Sequence, residues 1–377
     1  MNIYMDNAST TALSQKALDA YVDALSHSNG NPSAVHSRGF EAFTALENSR
    51  CEIARLFNCS SEQIVFTSGG SESNSLALLS AANIGKRSGK RHIVTTAIEH
   101  HSVLEVLNNL EGFDITYVKP QSNGIVSAEA VISAVRTDTV LFSVMLANNE
   151  VGTLQPVGDI ASFCRERGVI FHTDAVQAAG HVMIDVDGLG CDMLSLSAHK
   201  FHGPKGVGAL YVRDKKLITP IIRGGMQESG LRAGTENVPG IVAMAAALRE
   251  SLDDRVKKNG AILALRERLI EGILKIEGAT LNGDRKNRLD GNANFSFDGV
   301  GGEQLVILLD SYGIAASSGS ACAARSPDPS HVLLAMGLER SAAASSLRLS
   351  LDEYNTDREI DEVVRTVAKA VNNIRNI

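Results

Sequence analysis

The sequence predicts an α/β protein of two domains on three observations: its length, an alternation of short apolar runs with longer amphipathic ones between positions 14 and 210, and a change of pattern after about position 251. At roughly 150 residues per domain, 377 residues suit two units. The larger is expected over 14–255, with a mainly parallel sheet flanked by helices. The smaller, an α+β unit, is expected to combine 1–13 with 256–377.

Taken in order, strands are expected at 63–67, 92–96, 113–118, 139–146 and 169–173. The run from Val140 to Leu146 is apolar on both faces, as a central strand of a parallel sheet requires. Pro156, suited to a first helical turn, and Gly168, suited to a C-terminal cap, bound one connecting helix. Beyond 251 come two long charged helical stretches, then short strands at 292–297 and 312–317. A last helix is opened by the capping box Thr356-x-x-Glu359, and Ile360, Val363, Val364, Val367, Val371 and Ile374 recur along it at helical spacing.

Composition narrows the function classes. With 36 basic and 43 acidic residues the net charge is −7, which does not favour a nucleic-acid partner or a membrane surface. Five cysteines, Cys51, Cys59, Cys164, Cys191 and Cys322, include no C-x-x-C pair, so a reducing, cytoplasmic setting is expected. The first ten residues lack the basic and apolar regions of a signal peptide, and no apolar stretch approaches the roughly 18 residues of a membrane span.

The richest segment for chemistry is Ser197-Ala198-His199-Lys200, which leaves an apolar stretch and enters a glycine-rich turn. A lysine in fixed geometry forms Schiff bases, and neighbouring Ser and His side chains suit a phosphate; the alternative is an ordinary turn lysine. Asp174 follows the apolar run 169–173, where open α/β sheets place ligand-binding groups. A carboxylate there suits the pyridine nitrogen of pyridoxal phosphate, or simply caps a helix. The turn Ser68-Gly69-Gly70-Ser71 between a strand and a helix offers backbone N–H groups to a phosphate, or is a tight turn alone. It matches neither the Walker nor the dinucleotide pattern. His100, with His101, begins a helix at the same sheet edge and is suited to stacking on a flat cofactor or to capping. With no H-E-x-x-H spacing, no metal is assigned. Cys322 lies in a small-residue loop, Ser317-Ser318-Gly319-Ser320-Ala321-Cys322, where a reactive thiol is expected, whereas the other four cysteines suit the core. Arg348 interrupts a strand-like alternation and is either a bidentate clamp for a carboxylate or a surface arginine.

The segments Asn148-Asn149-Glu150-Val151-Gly152, Asp174-Ala175-Val176-Gln177, Ser197 to Lys200 and Ser317 to Cys322 resemble those of NifS/IscS-type cysteine desulfurases. The resemblance runs from Tyr4-Met5-Asp6-Asn7-Ala8-Ser9-Thr10-Thr11 through Gly30-Asn31-Pro32-Ser33 to the last helix, and so covers nearly the whole chain. It implies fold type I of the pyridoxal 5'-phosphate enzymes, with Lys200 bonded to the cofactor, Asp174 at the pyridine nitrogen, Gln177 near the ring hydroxyl and His100 stacked on the ring. It further implies phosphate contacts from Gly70, Ser71, Ser197 and His199, joined by Thr235 of a partner subunit in a homodimer. Ser71 stands where the family usually has threonine and keeps the hydroxyl. Asn149, counted also among the cofactor contacts, and Arg348 are implied to hold the carboxylate of L-cysteine, with Lys200 and His100 catalytic and Cys322 taking the sulfur as a persulfide for an acceptor protein, either an iron–sulfur scaffold or a tRNA-thiolation protein. The loop resembles that of the longer-loop group. The alternative within the fold is an aminotransferase or a selenocysteine lyase.

Overall fold

The computed structural model describes residues 2–253, 255–319 and 328–376. Its strands are β1 (Ile3–Tyr4), β2 (Ile64–Thr67), β3 (His92–Thr96), β4 (Asp114–Val118), β5 (Thr139–Ser143), β6 (Ile170–Asp174), β7 (Met193–Ser197), β8 (Gly208–Val212), β9 (Ala279–Asn282), β10 (Asn292–Phe297), β11 (Ile314–Ala315) and β12 (Ser346–Ser350). Among the described residues, seven of them form one sheet in the order β2-β8-β7-β6-β5-β3-β4. The pairs from β7 across to β4 are parallel, and β8 runs antiparallel to both β7 and β2. The molecule is α/β, as expected.

Neighbouring residues of the central strands enter cores on opposite faces of this sheet. Val65, Ile93, Met193 and Leu210 pack on one side, and Phe66, Val94, Leu194 and Tyr211 on the other. A separate core collects Met5, Leu269, Phe295, Phe297, Leu309, Leu347 and Val363 around the antiparallel sheet β12-β10-β9. The helix Asp357–Arg375 covers this sheet with Ile360, Val363, Val367 and Val371, and Thr356 and Glu359 form its capping box.

Several elements differ from the sequence reading. The strand expected over 139–146 ends at Ser143, whose carbonyl is taken by the Thr95 hydroxyl at 2.8 Å. Beyond it, the Val144 and Leu146 N–H groups donate towards β6, to the carbonyls of His172 and Asp174, while the Leu146 carbonyl accepts from the Gln155 N–H in the loop that follows. Between 251 and the strand at 292 the described residues form one long helix, Arg255–Ile273, and not two; the other long helix of this region, Val238–Leu252, lies earlier, capped by the Asn237 side chain. The strand expected over 312–317 shrinks to β11 because Tyr312 and Gly313 close the helix Gly302–Ser311. Cys51 is exposed on the helix Ser37–Leu56 rather than in the core.

Candidate active site

The parallel strands and β2 all present their carboxyl ends at one edge of the large sheet, the edge where open α/β sheets bind ligands. Asp174 is the last residue of β6 and Ser197 the last of β7, and Lys200 ends the short turn Ala198–Lys200 that follows. His100 caps the helix His101–Asn108 after β3, and the helix Gly70–Ser88 begins three residues beyond β2. These chain ends surround a cavity of about 230 Å³. Every site residue expected from the sequence lines it, except Thr235 and Cys322. Cys322 lies outside the described residues. Thr235 borders a different recess, beside Ser68 and Arg232.

The Lys200 Nζ donates to the carbonyls of Ala8 at 2.6 Å and Ser9 at 2.8 Å, so the segment after β1 crosses directly over the amine. The Gln177 amide donates to the same Ala8 carbonyl at 2.8 Å. Asp174 follows no helix-cap pattern: Oδ1 accepts from the Val176 N–H at 2.9 Å in a turn, and Oδ2 accepts from Asn74 Nδ2 at 2.7 Å. Asn74 also donates to the Ser102 hydroxyl at 2.9 Å, which lies 2.8 Å from His100 Nδ1. Since Nδ1 also accepts from the Ser102 N–H at 3.1 Å, the ring carries its proton on Nε2. Burial holds the His100 pKa below the usual histidine range, outweighing the pull of the Asp174 carboxylate. Burial, helped by Lys200 and Lys205, pushes His199 down to about 4, so both imidazoles are neutral near pH 7.

Arg348 is only 1% exposed, which removes the surface-arginine alternative. Its Nη2 donates to Asp6 Oδ1 at 2.8 Å and to the Ser9 hydroxyl at 2.6 Å, and Nη1 donates to the Asn149 carbonyl at 3.1 Å. The guanidinium is thus held from behind while it faces the cavity. The cysteines separate as well: burial pushes the thiols of Cys164 and Cys191 up to about 12 and that of Cys59 up to about 11. Those three stay protonated near neutral pH. A larger cavity, about 350 Å³, lies among Pro32, Phe43, Arg50 and Met226, but Arg50 and Glu228 on its wall are tied to each other in an ion pair at 2.7 Å. The smaller cavity holds the amine, the carboxylate and the imidazoles together, and so the chemistry.

Sequence reasoning did not assign Asn74, Ser102, Ala8 or Ser9. Asn74 had a local signal, since it lies one helical turn after Gly70 and therefore on the same face. The carbonyls of Ala8 and Ser9 had none.

The residues fit pyridoxal phosphate. An amine for its aldehyde, a hydrogen-bonded carboxylate for a protonated ring nitrogen and a neutral imidazole for its flat face converge on one cavity. A 19-residue helix starts there with Gly70 and Ser71, and its unpaired N–H groups suit a phosphate. The cradle is built tightly: a Cβ at Gly70 would sit 2.6 Å from Val176 Cγ2.

Comparisons with known proteins agree. Residues 3–363 match the family described as Aminotransferase class-V. The chain is 44% identical over 377 residues to the cysteine desulfurase IscS of Methanosarcina thermophila, spanning 100% of this chain and 93% of that protein. A solved structure described as a NifS-like protein superposes with a TM-score of 0.93 at 37% identity, covering 99% of this chain and 100% of that one. Another, described as SspA in complex with cysteine, superposes with a TM-score of 0.82 at 37% identity, covering 94% and 100%. With its fold, its cavity and its full-length similarity in agreement, the chain belongs to the class-V aminotransferase family.

Proposed function

We propose that this protein is a pyridoxal phosphate-dependent cysteine desulfurase, which converts L-cysteine to L-alanine and carries the sulfur as a persulfide on Cys322. The observation that carries the reading is the convergence of Lys200, Asp174, His100 and Arg348 on one cavity. The full-length similarity to a cysteine desulfurase and the cysteine-bound structural neighbour support the choice of substrate.

In this reading Lys200 holds the cofactor aldehyde, Asp174 the ring nitrogen, Gln177 the ring hydroxyl and His100 the ring face. Gly70, Ser71, Ser197 and His199 hold the phosphate. When bound, pyridoxal phosphate supplies an electrophilic carbon for amines and a ring that takes up the electron pair of a bond broken beside that carbon. Asn149 and Arg348 would orient the substrate by its carboxylate, and the Lys200 amine would move the α-proton. The Cys322 thiolate then attacks the substrate sulfur. The S–S bond forms as the C–S bond breaks, its electron pair stays with carbon, and a proton added there completes alanine. The high pKa values of Cys59, Cys164 and Cys191 leave those thiols poor competitors for this step.

The persulfide passes to an acceptor protein, an iron–sulfur scaffold or a tRNA-thiolation protein, in the cytoplasm. The working unit is a homodimer in which Thr235 reaches the phosphate of a second copy. An exposed apolar patch supports this: Val35, Phe40 and Phe43 lie on or just before the helix Ser37–Leu56, and Phe43 and Met226 share a cavity wall with Glu236, next to Thr235.

The test is the Cys322→Ser protein. It should keep the cofactor and the spectral change on adding L-cysteine, yet release less than about a hundredth of the wild-type alanine, because serine lacks the nucleophilicity of a thiolate. A cysteine pulse followed by mass spectrometry should place the extra sulfur on Cys322 in the wild type. Undiminished alanine release by Cys322→Ser, or sulfur found on Cys51, Cys59, Cys164 or Cys191, defeats the reading.

A further inference from the structure

Arg348 enters the cavity from the small sheet, whereas Lys200, Asp174 and His100 belong to the large one. Something must set the register between the two sheets, and apolar packing alone is not directional enough to do so. The β-ladder shows which residues are available. Asn294, in the middle of β10, lies directly opposite Arg348 of β12 on one side and Asn282 of β9 on the other. Side chains directly opposite one another in an antiparallel ladder share a face. Asn282, Asn294 and Arg348 therefore form one polar row across the small sheet.

That row meets the loop that carries Asn149. Asn294 Nδ2 donates to the Glu150 carbonyl at 3.2 Å, and Arg348 Nη1 donates to the Asn149 carbonyl at 3.1 Å. Asn292, two residues earlier on the same face, donates to the Asn149 carbonyl at 3.4 Å. Asn282 Nδ2 donates to Asn294 Oδ1 at 2.8 Å, which turns the Asn294 amide so that its N–H groups face Glu150. Asn294 is 0% exposed, so a lost bond leaves a buried carbonyl without its donor. The approach is close: a Cβ at Gly152 would lie 2.8 Å from Asn292 Oδ1.

We propose that Asn294 is a positioning residue that gives the cavity its selectivity for an α-carboxylate, by hooking the small sheet to the Asn149 loop so that Arg348 and Asn149 face the ligand as one fixed pair. This rests on the cysteine reading above. The physical reason is that a carboxylate clamp works only when its donors are held to about half an ångström. A hook on the adjacent carbonyl, carried by the residue opposite the clamp, supplies that restraint without touching the ligand.

The experiment compares L-cysteine with cysteamine, which has the same amine and thiol but no carboxylate. Each is titrated into the cofactor-loaded protein, and binding is followed by the change in visible absorbance. The wild type should bind L-cysteine roughly 10- to 100-fold more tightly than cysteamine, the range expected for hydrogen bonds to a charged group. In Asn294→Asp and Asn294→Ala, affinity for L-cysteine should fall about tenfold while that for cysteamine stays within about twofold, collapsing the ratio. In turnover, KM for L-cysteine should rise more than kcat falls. Asn282→Ala, which leaves Asn294 in place but frees its amide, should shift the ratio the same way by roughly threefold, and it serves if the Asn294 variants do not fold. Ratios unchanged in the folded variants, or both ligands weakened equally, overturn the proposal alone. A wild type that binds both ligands equally overturns the cysteine reading and this proposal with it.

Discussion

Glu99 is fully buried between the ends of β3 and β5, one residue before His100. Its Oε1 accepts from the Thr96 hydroxyl at 2.6 Å and from the Met145 N–H at 2.9 Å, while Oε2 has no hydrogen-bond partner among the described residues. Burial pushes its pKa up to about 8, and the negative Asp174 pushes the same way. The acid is therefore mostly protonated at neutral pH and adds little charge behind the cofactor pocket. A raised pKa in the folded state means that stability is fullest below the unfolded value, near 4.5, is lost as pH rises towards 8 and then levels off. Glu99→Gln keeps an acceptor for Thr96 and Met145 without titrating. Calorimetry on the cofactor-free proteins at pH 5, 7 and 9 should show the wild type losing several degrees of Tm relative to the variant between about pH 5 and 8, with no further divergence above it. A difference in Tm that does not change with pH would mean that Glu99 does not titrate in this window.

At the scale of elements, the cavity is made by where strands stop. β2, β3, β5, β6 and β7 end at one edge, and each hands over to a turn or helix whose first residues face the cavity. The helix Gly70–Ser88 reaches it most closely, since Gly69 has a φ of 152° and Gly70 has no room for a side chain. In Gly70→Ala the new methyl must displace Val176 or the first helical turn. Cofactor affinity should fall by about tenfold or more, measured by titrating pyridoxal phosphate into the apoprotein, with helix content unchanged by circular dichroism. Unaltered affinity would separate this helix start from the phosphate site.

At the scale of the whole molecule, two sheets with separate cores are tied together at the cavity by the chain's beginning and by its late strands. Lys200 meets Ala8, and Arg348 meets Asp6. The patch of Phe40, Phe43 and Met226 is 69%, 47% and 79% exposed residue by residue, which suits a surface covered by a second copy. Light scattering should give twice the mass of the chain for the wild type. Phe40→Asp combined with Met226→Asp should give monomers that lose pyridoxal phosphate more readily, if Thr235 completes the site of a second copy. Monomers with full cofactor affinity would confine the site to one chain.

Much of this architecture was legible before any coordinates. An apolar run followed by small, hydroxylic or charged residues marks a strand reaching a ligand edge, and that local pattern was enough to single out Asp174, Lys200, His100 and the Gly70 turn. The capping box of the last helix was legible for the same reason, since its partners are three residues apart. The rest depends on contacts with no local trace. The Lys200 amine meets a carbonyl 192 residues away, and Arg348 meets a carboxylate 342 residues away. The burial of Arg348 and the polar row through Asn294 follow from which faces the sheets turn towards each other, and the exposure of Cys51 from which face the helix Ser37–Leu56 turns to the core. Residue type and spacing determined which groups end at the edge of the large sheet, because period and turn chemistry act within a few residues. Only the tertiary structure decided which distant backbone and side-chain groups hold them there, because hydrogen bonds across the chain are set by three-dimensional register and not by sequence distance.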